Sequence, residues 1–250
     1  MDLYPSDKAE VDFEQERDRL HLQMLSAVSH DLKTPLASVI GSLEIFNKMK
    51  HVLSDEKKDM LIQTAIHEAY RLDGFISNIL DMARLENGMV KVNPRLYSIS
   101  QIIKEMLQKL GEHGKNATIN VIAPDYKIDC HTDATLLSRA LQCVIDNALK
   151  HGGATPVIEI GYEMQGEMIF IHIQDNGPGI KFADREKIFS KYTRLSKKDY
   201  QNASTGLGLT LCRSMINLLG GRVFVNTQQP SILSGSLSGA CFTIEMPQHY

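Results

Sequence analysis

The sequence predicts two domains: an antiparallel helical hairpin that forms a four-helix bundle as a dimer, followed by an α/β sandwich. Three observations predict it. Leu22, Leu25, Ser29, Leu32, Leu36, Val39, Leu43 and Phe46 recur in alternating steps of three and four, the seam of a helical bundle. Ile62, Ala65, Ala69, Leu72, Ile76, Ile79 and Ala83 repeat the pattern in steps of three and four. After Glu86-Asn87-Gly88 the period changes, and short strand-like runs alternate with amphipathic helices.

Helix one is expected from about Phe13 to Lys50, and a short connection near His51 to Asp55 leads to helix two, which ends near Gly88. Two helices with one apolar stripe each bury too little alone, so pairing of two hairpins is the expected solution. The domain boundaries read as a linker over 1–13, the hairpin over 14–90, a connector over 91–97 around Lys91-Val92-Asn93-Pro94-Arg95, and the second domain over 98–250.

In the second domain a helix near Ile99 to Gly111 precedes a strand near Thr118 to Ile122, and a helix covers Ala134 to His151. Val157 to Tyr162 and Met168 to Asp175 read as antiparallel strands joined at Gln165-Gly166. A helix over Leu207 to Leu219 and strands near Arg222 to Asn226 and Ala240 to Met246 complete the layer.

Composition fits a soluble, intracellular, globular chain: 250 residues, 43% hydrophobic and 23% charged, enough for two cores. The net charge of −3 and the lack of a long basic block give no nucleic-acid surface. Cys130, Cys143, Cys212 and Cys241 are widely spaced, so they read as packed, reduced thiols and not as a metal site or disulfide frame. No run approaches the ~20 apolar residues of a membrane span, and the first residues lack a signal-peptide core. The charge-rich entry from Asp7 to Arg19 reads as a signalling helix arriving from an upstream sensor segment.

The densest chemistry lies in Ser29-His30-Asp31-Leu32-Lys33-Thr34-Pro35-Leu36. A lone helical histidine is ordinarily surface decoration, but these neighbours argue otherwise. His30 falls one place past the seam and is expected to face water; Thr34 lies one turn away on the same face, and Asp31 flanks the ring and can accept its N–H. A carboxylate there keeps the imidazole oriented and basic, with the other nitrogen free as a nucleophile. Pro35 removes one helical hydrogen bond, which predicts a bend below the histidine.

These residues resemble the H-box of bacterial two-component sensor histidine kinases. Downstream, Asp146-Asn147-Ala148-Leu149-Lys150-His151 resembles the family's N-box and Asp175-Asn176-Gly177-Pro178-Gly179-Ile180 its G1 box. Ile188-Phe189-Ser190-Lys191-Tyr192-Thr193-Arg194-Leu195 resembles the F-box, and Thr205-Gly206-Leu207-Gly208-Leu209 the G2 box. Each is weak alone; five in order, across about residues 15 to 247, are specific. The H-box with Ala37-Ser38-Val39-Ile40-Gly41 resembles the potassium-responsive members.

The resemblance implies a dimeric phosphotransfer bundle and an ATP-binding fold shared with gyrase, the Hsp90 chaperone and the MutL repair protein. It implies ATP and Mg²⁺ as cofactors, autophosphorylation of His30, transfer to an aspartate of a response-regulator receiver domain, and a role for Thr34 in dephosphorylating that partner. The chain is then cytoplasmic, or the cytoplasmic portion of an inner-membrane receptor. Asn147 offers Mg²⁺ a neutral hard oxygen, and Asp175 matches the family's adenine contact. Gly177 and Gly179 allow close backbone approach to the base. Gly206 and Gly208 open a helix whose first N–H groups favour phosphate, with Thr205, Leu207 and Leu209 beside them. The polar stretch from Arg194 to Ser204 is expected as a lid; Lys150, Lys191 and Arg194 are candidate phosphate cations.

Two positions depart from the family. Cys143 stands where many members have asparagine, and a thiol is a poor Mg²⁺ ligand. His151 stands where tyrosine or phenylalanine is common, and its ring can still stack or hydrogen-bond. The first departure motivates an alternative, a nucleotide-impaired, phosphatase-biased or scaffold relative.

Overall fold

The computed structural model describes residues 29, 31–110, 114, 117–153, 155–191, 193 and 206–250. His30, Arg194, Thr205, the expected start of helix one, the 1–13 linker and the 194–204 lid lie outside the described residues. The chain divides into two compact units, Met1–Ser77 and Asn78–Tyr250.

In the first unit, helix α1 covers residues 31–49 and runs on through Pro35. A turn at 50–54 returns the chain into helix α2, Asp55–Glu86. Asp55 and Glu56 in the first turn of α2 and Arg84 in the last match the sign of the helix dipole at each end. Gly88, at φ 62°, stops α2, with the Met89 N–H donating back to the Arg84 carbonyl at 2.9 Å, a left-handed helix stop.

On α1 the buried positions fall one residue before the expected seam, while on α2 the seam residue Ala65 is buried as expected. Asp31, Pro35 and Ser42 are buried on α1, while Leu36 and Leu43 are exposed. On α2, Ala65, Phe75 and Met82 are buried, whereas Ile62 and Ile76, expected in the seam, are exposed. Both stripes of α2 are apolar, and the larger Phe75 gains more by burial than Ile76, while Met82 is buried in the core of the second unit. The second stripe, including Ile62, Ile66, Ile76 and Leu80, is thereby left on the surface.

The second unit is built on a five-stranded sheet. Its strands are β2 (Thr118–Ile122), β4 (Val157–Gln165), β5 (Met168–Asp175), β6 (Arg222–Val225) and β7 (Cys241–Pro247), in the order β2-β4-β5-β7-β6. β2 runs parallel to β4 and the other pairs are antiparallel. Residues 95–97, expected as connector, form with Ser98 a strand β1 (Arg95–Ser98) that pairs antiparallel with β3 (Asp129–Thr132). The connector is anchored further because the Asn93 N–H donates to Asp133 Oδ2 at 3.0 Å.

Three helices supply the core: α3 (Ile99–Leu110), α4 (Ala134–His151) and α5 (Gly208–Leu218). Ile169, Ile171 and Ile173 of β5 and Phe242, Ile244 and Met246 of β7 are buried in one cluster with Ile103, Leu141, Val144 and Leu211, as strand alternation requires. Asp133 caps α4, its Oδ1 accepting from the N–H groups of Thr135 at 3.0 Å and Leu136 at 3.2 Å. Met82 near the end of α2 belongs to this core. Arg139 of α4 donates to Asp81 at 3.2 Å and to Asn78 at 2.9 Å. The opposite sheet face is not bare: Glu159, His172, Gln174 and Thr243 are buried there.

Candidate active site

Helix periodicity places Cys143, Asn147, Lys150 and His151 along one face of α4. That face forms one wall of a cavity of about 390 Å³, within the size range of small-molecule sites. Asp175, at the end of β5, and Pro178, Gly179 and Ile180 after it form a second wall; Gly206, Gly208 and Leu209 at the start of α5 form a third. Eight expected residues therefore meet in one cavity: Asn147, Lys150, His151, Asp175, Gly179, Gly206, Gly208 and Leu209.

Asp175 is the anchored group. It is 3% exposed, and its Oδ1 accepts from the backbone N–H groups of Gly177 at 2.8 Å and Ala240 at 3.0 Å. Among the described residues nothing donates to its Oδ2, which leaves an acceptor for an incoming N–H. Burial raises its pKa above 3.8, opposed by the two backbone donors and by the charge of His151.

Close backbone packing makes this arrangement possible. A Cβ on Gly177 would approach the His151 carbonyl to 2.8 Å, and one on Gly239 would overlap the Asp175 carboxylate and carbonyl. Gly179 sits at φ 71° and Gly206 at φ 63°, a region costly for other residues. The first turn of α5 is fastened by Thr210, whose hydroxyl donates to the Phe189 carbonyl at 3.0 Å. Arg213 stacks over the Phe189 ring at 4.2 Å and pairs with Glu186 at 2.9 Å.

The remaining expected residues sit elsewhere. Leu207 is buried beside the cavity and not on its wall. Lys191 pairs with the Glu86 carboxylate at the end of α2 and is not on the cavity wall. Asp31 is buried and Thr34 exposed on α1.

Cys143 lies on the wall, and burial pushes its thiol up to about 12, so it is neutral at physiological pH. The sequence reading missed Gly239 and Ala240. Their signal was the small pair Gly239-Ala240 at the start of a strand that neighbours the strand ending in Asp175. Lys181, Asp184, Ile188 and Thr193 also line the cavity, and none was singled out as a site residue.

Two known families match successive parts of the chain. The "His Kinase A (phospho-acceptor) domain" family matches residues 20–88, and the "Histidine kinase-, DNA gyrase B-, and HSP90-like ATPase" family matches residues 132–250. The Escherichia coli (strain K12) sensor protein KdpD is 30% identical over 235 residues, covering 93% of this chain and 25% of the relative. KdpD of Clostridium acetobutylicum is 28% identical, covering 97% of this chain and 26% of the relative. The chain thus spans about a quarter of the length of these relatives.

Among solved structures, histidine kinase ThkA in complex with the response regulator TrrA superposes with a TM-score of 0.66 at 21% identity, covering 99% of this chain and 68% of that one. The Acinetobacter baumannii histidine kinase AdeS gives a TM-score of 0.62 at 20% identity, over 88% of this chain and 98% of that one. These two show a shared fold. With a phospho-acceptor domain matched ahead of an ATPase domain, and sensor proteins as relatives along nearly its whole length, the chain carries the two-domain core of a two-component sensor histidine kinase.

Proposed function

We propose that this chain binds ATP in the Asp175 cavity, phosphorylates its own His30, and passes the phosphoryl group to an aspartate of a response-regulator receiver domain. The observation that carries the reading is the meeting of N-box, G1 and G2 residues in one cavity around a carboxylate held by two backbone donors. Oδ2 of Asp175 would accept from the exocyclic amine of adenine, and the glycines would let the backbone lie against the base. Lys150 and the first N–H groups of α5 would hold phosphate oxygens.

The half-buried Asn147 amide on the cavity wall fits Mg²⁺ in donor type; bound there, the ion would offset charge on the phosphates. Cys143, neutral one turn away, adds no ligand. In the transfer step, a ring nitrogen of His30 forms a bond to the γ-phosphorus as the bond to the bridging oxygen breaks and ADP leaves. Asp31 would orient the ring and take its proton. Thr34 would position water for dephosphorylating the partner. Dimerisation would cover the exposed α2 stripe of Ile62, Ile66, Ile76 and Leu80.

The domain extents 14–90 and 98–250 and the potassium-responsive subgroup belong to the same proposal. Among the described residues no helix is long and apolar enough to cross a membrane; a cytoplasmic location, alone or attached to a membrane sensor, completes the reading. A second reading, a nucleotide-impaired or phosphatase-biased relative, is favoured by Cys143 on the cavity wall. Transfer is tested by mixing chain labelled from γ-labelled ATP with a receiver domain. The proposal expects label to leave the kinase for the receiver, with Thr34→Ala sparing labelling and slowing receiver dephosphorylation. A labelled chain that gives up nothing to any receiver domain would contradict it.

A further inference from the structure

The sequence motifs account for Asp175 and the glycines after it, but not for what holds the Gly239-Ala240 segment against that carboxylate. The answer lies on the opposite face of the sheet. Glu159 of β4 is a carboxylate only 4% exposed, and it lines neither cavity wall nor α4 face. Its Oε2 accepts from the Ser234 N–H at 3.2 Å, and its Oε1 from the Ser234 hydroxyl and from the Ser236 hydroxyl at 3.3 Å. Glu159 is paired in register with Gln174 of β5. Gln174 in turn donates from Nε2 to the Leu237 carbonyl at 2.6 Å. Leu233 is buried over Gly161, where a Cβ would approach the Leu233 Cδ2 to 2.8 Å.

These attachments fix the loop before β7 at Leu233, Ser234, Ser236 and Leu237. Two residues later the Gly239 N–H donates to the Asp175 carbonyl and the Ala240 N–H to Asp175 Oδ1, each at 3.0 Å. We infer that Glu159, with Ser234, is a positioning residue for base recognition, holding the 230–239 loop so that Ala240 orients the Asp175 carboxylate from behind the sheet. Exposed serines would not hold such a loop alone, because hydrogen bonds to water compete; a buried carboxylate acceptor makes those bonds strong and directional. Base selectivity then depends on a residue that never meets the nucleotide.

This inference rests on the assignment of Asp175 to the adenine amine. The test compares calorimetric affinities for ATP and for inosine triphosphate, which carries a carbonyl in place of that amine, in the whole chain and in Ser234→Ala, Ser234→Thr and Glu159→Gln. Ser234 is exposed, so its variants should fold even where a change at Glu159 does not. Ser234→Ala is expected to lower the preference for ATP over inosine triphosphate about fivefold, with the inosine affinity unchanged, and Ser234→Thr to restore it. An unchanged preference in Ser234→Ala, or equal weakening of both nucleotides, overturns the inference. A wild-type chain without preference for ATP overturns the Asp175 assignment itself, and the inference with it.

Discussion

Gly239 lies so close to Asp175 that a single methyl group on it would overlap the carboxylate Oδ1. The neighbour is backbone and a pinned carboxylate, not the free end of a flexible chain, so nothing gives way cheaply. Gly239→Ala is expected to lower ATP affinity by more than about tenfold, the equivalent of losing one to two hydrogen bonds to a charged group. Calorimetry checks this. Gly74→Ala is the contrasting case: it lies in α2 with nothing within 4 Å of its Cβ, so it should raise stability by about 0.5–1 kcal/mol, read by denaturant unfolding.

Asp175→Asn keeps an oxygen for the Gly177 and Ala240 donors but replaces the second acceptor with an amide donor. ATP affinity should fall by at least about tenfold with an unchanged circular-dichroism spectrum. Burial raises the pKa of Asp175 above 3.8, so protonation removes the acceptor sooner than for an ordinary carboxylate. Wild-type affinity should therefore weaken as pH falls through a range above 3.8, and Asp175→Asn should lack that slope.

His172 supplies a pH dependence of stability distinct from binding. Its Nδ1 lies 2.7 Å from the Thr243 hydroxyl and its Nε2 3.4 Å from Glu163. Burial lowers its pKa below 6.5, with the Glu163 hydrogen bond and charge partly opposing. The unfolded chain therefore binds the proton more readily. The stabilising contribution is present above pH 6.5 and is lost as pH falls through the lower folded value. Thermal unfolding at a series of pH values should show the loss, and His172→Gln should flatten it.

All four cysteines are buried. Burial pushes Cys130 and Cys241 up to about 11, Cys143 up to about 12, and Cys212 well above its ordinary value. The reactive thiolate is scarce at neutral pH. A colorimetric thiol titration should find no fast-reacting group in the native chain and four after denaturation.

Much of this was legible in the sequence, for physical reasons that also mark the failures. Helix α4 was expected over Ala134–His151, its observed span, because its apolar period is strong; the structure adds the Asp133 cap that fixes its start. The β4–β5 hairpin was readable from alternation broken at Gly166, which sits at φ 63°. β1 and β3, four residues each, carry too little pattern to distinguish from connectors. On α2, two adjacent apolar stripes satisfied the same period, and only packing decides between Phe75 and Ile76. The Gly239–Asp175 contact was hidden because it joins segments distant in sequence, and Lys191 because its partner Glu86 lies in another element.

The most direct test of the central claim is incubation of the purified chain and His30→Gln with γ-labelled ATP and Mg²⁺, followed by acid and alkali treatment of the labelled band. The account predicts label on the wild-type chain that is lost in acid, retained in alkali, and absent from the variant. Label that persists in His30→Gln, or no label on a chain that binds ATP, would contradict it.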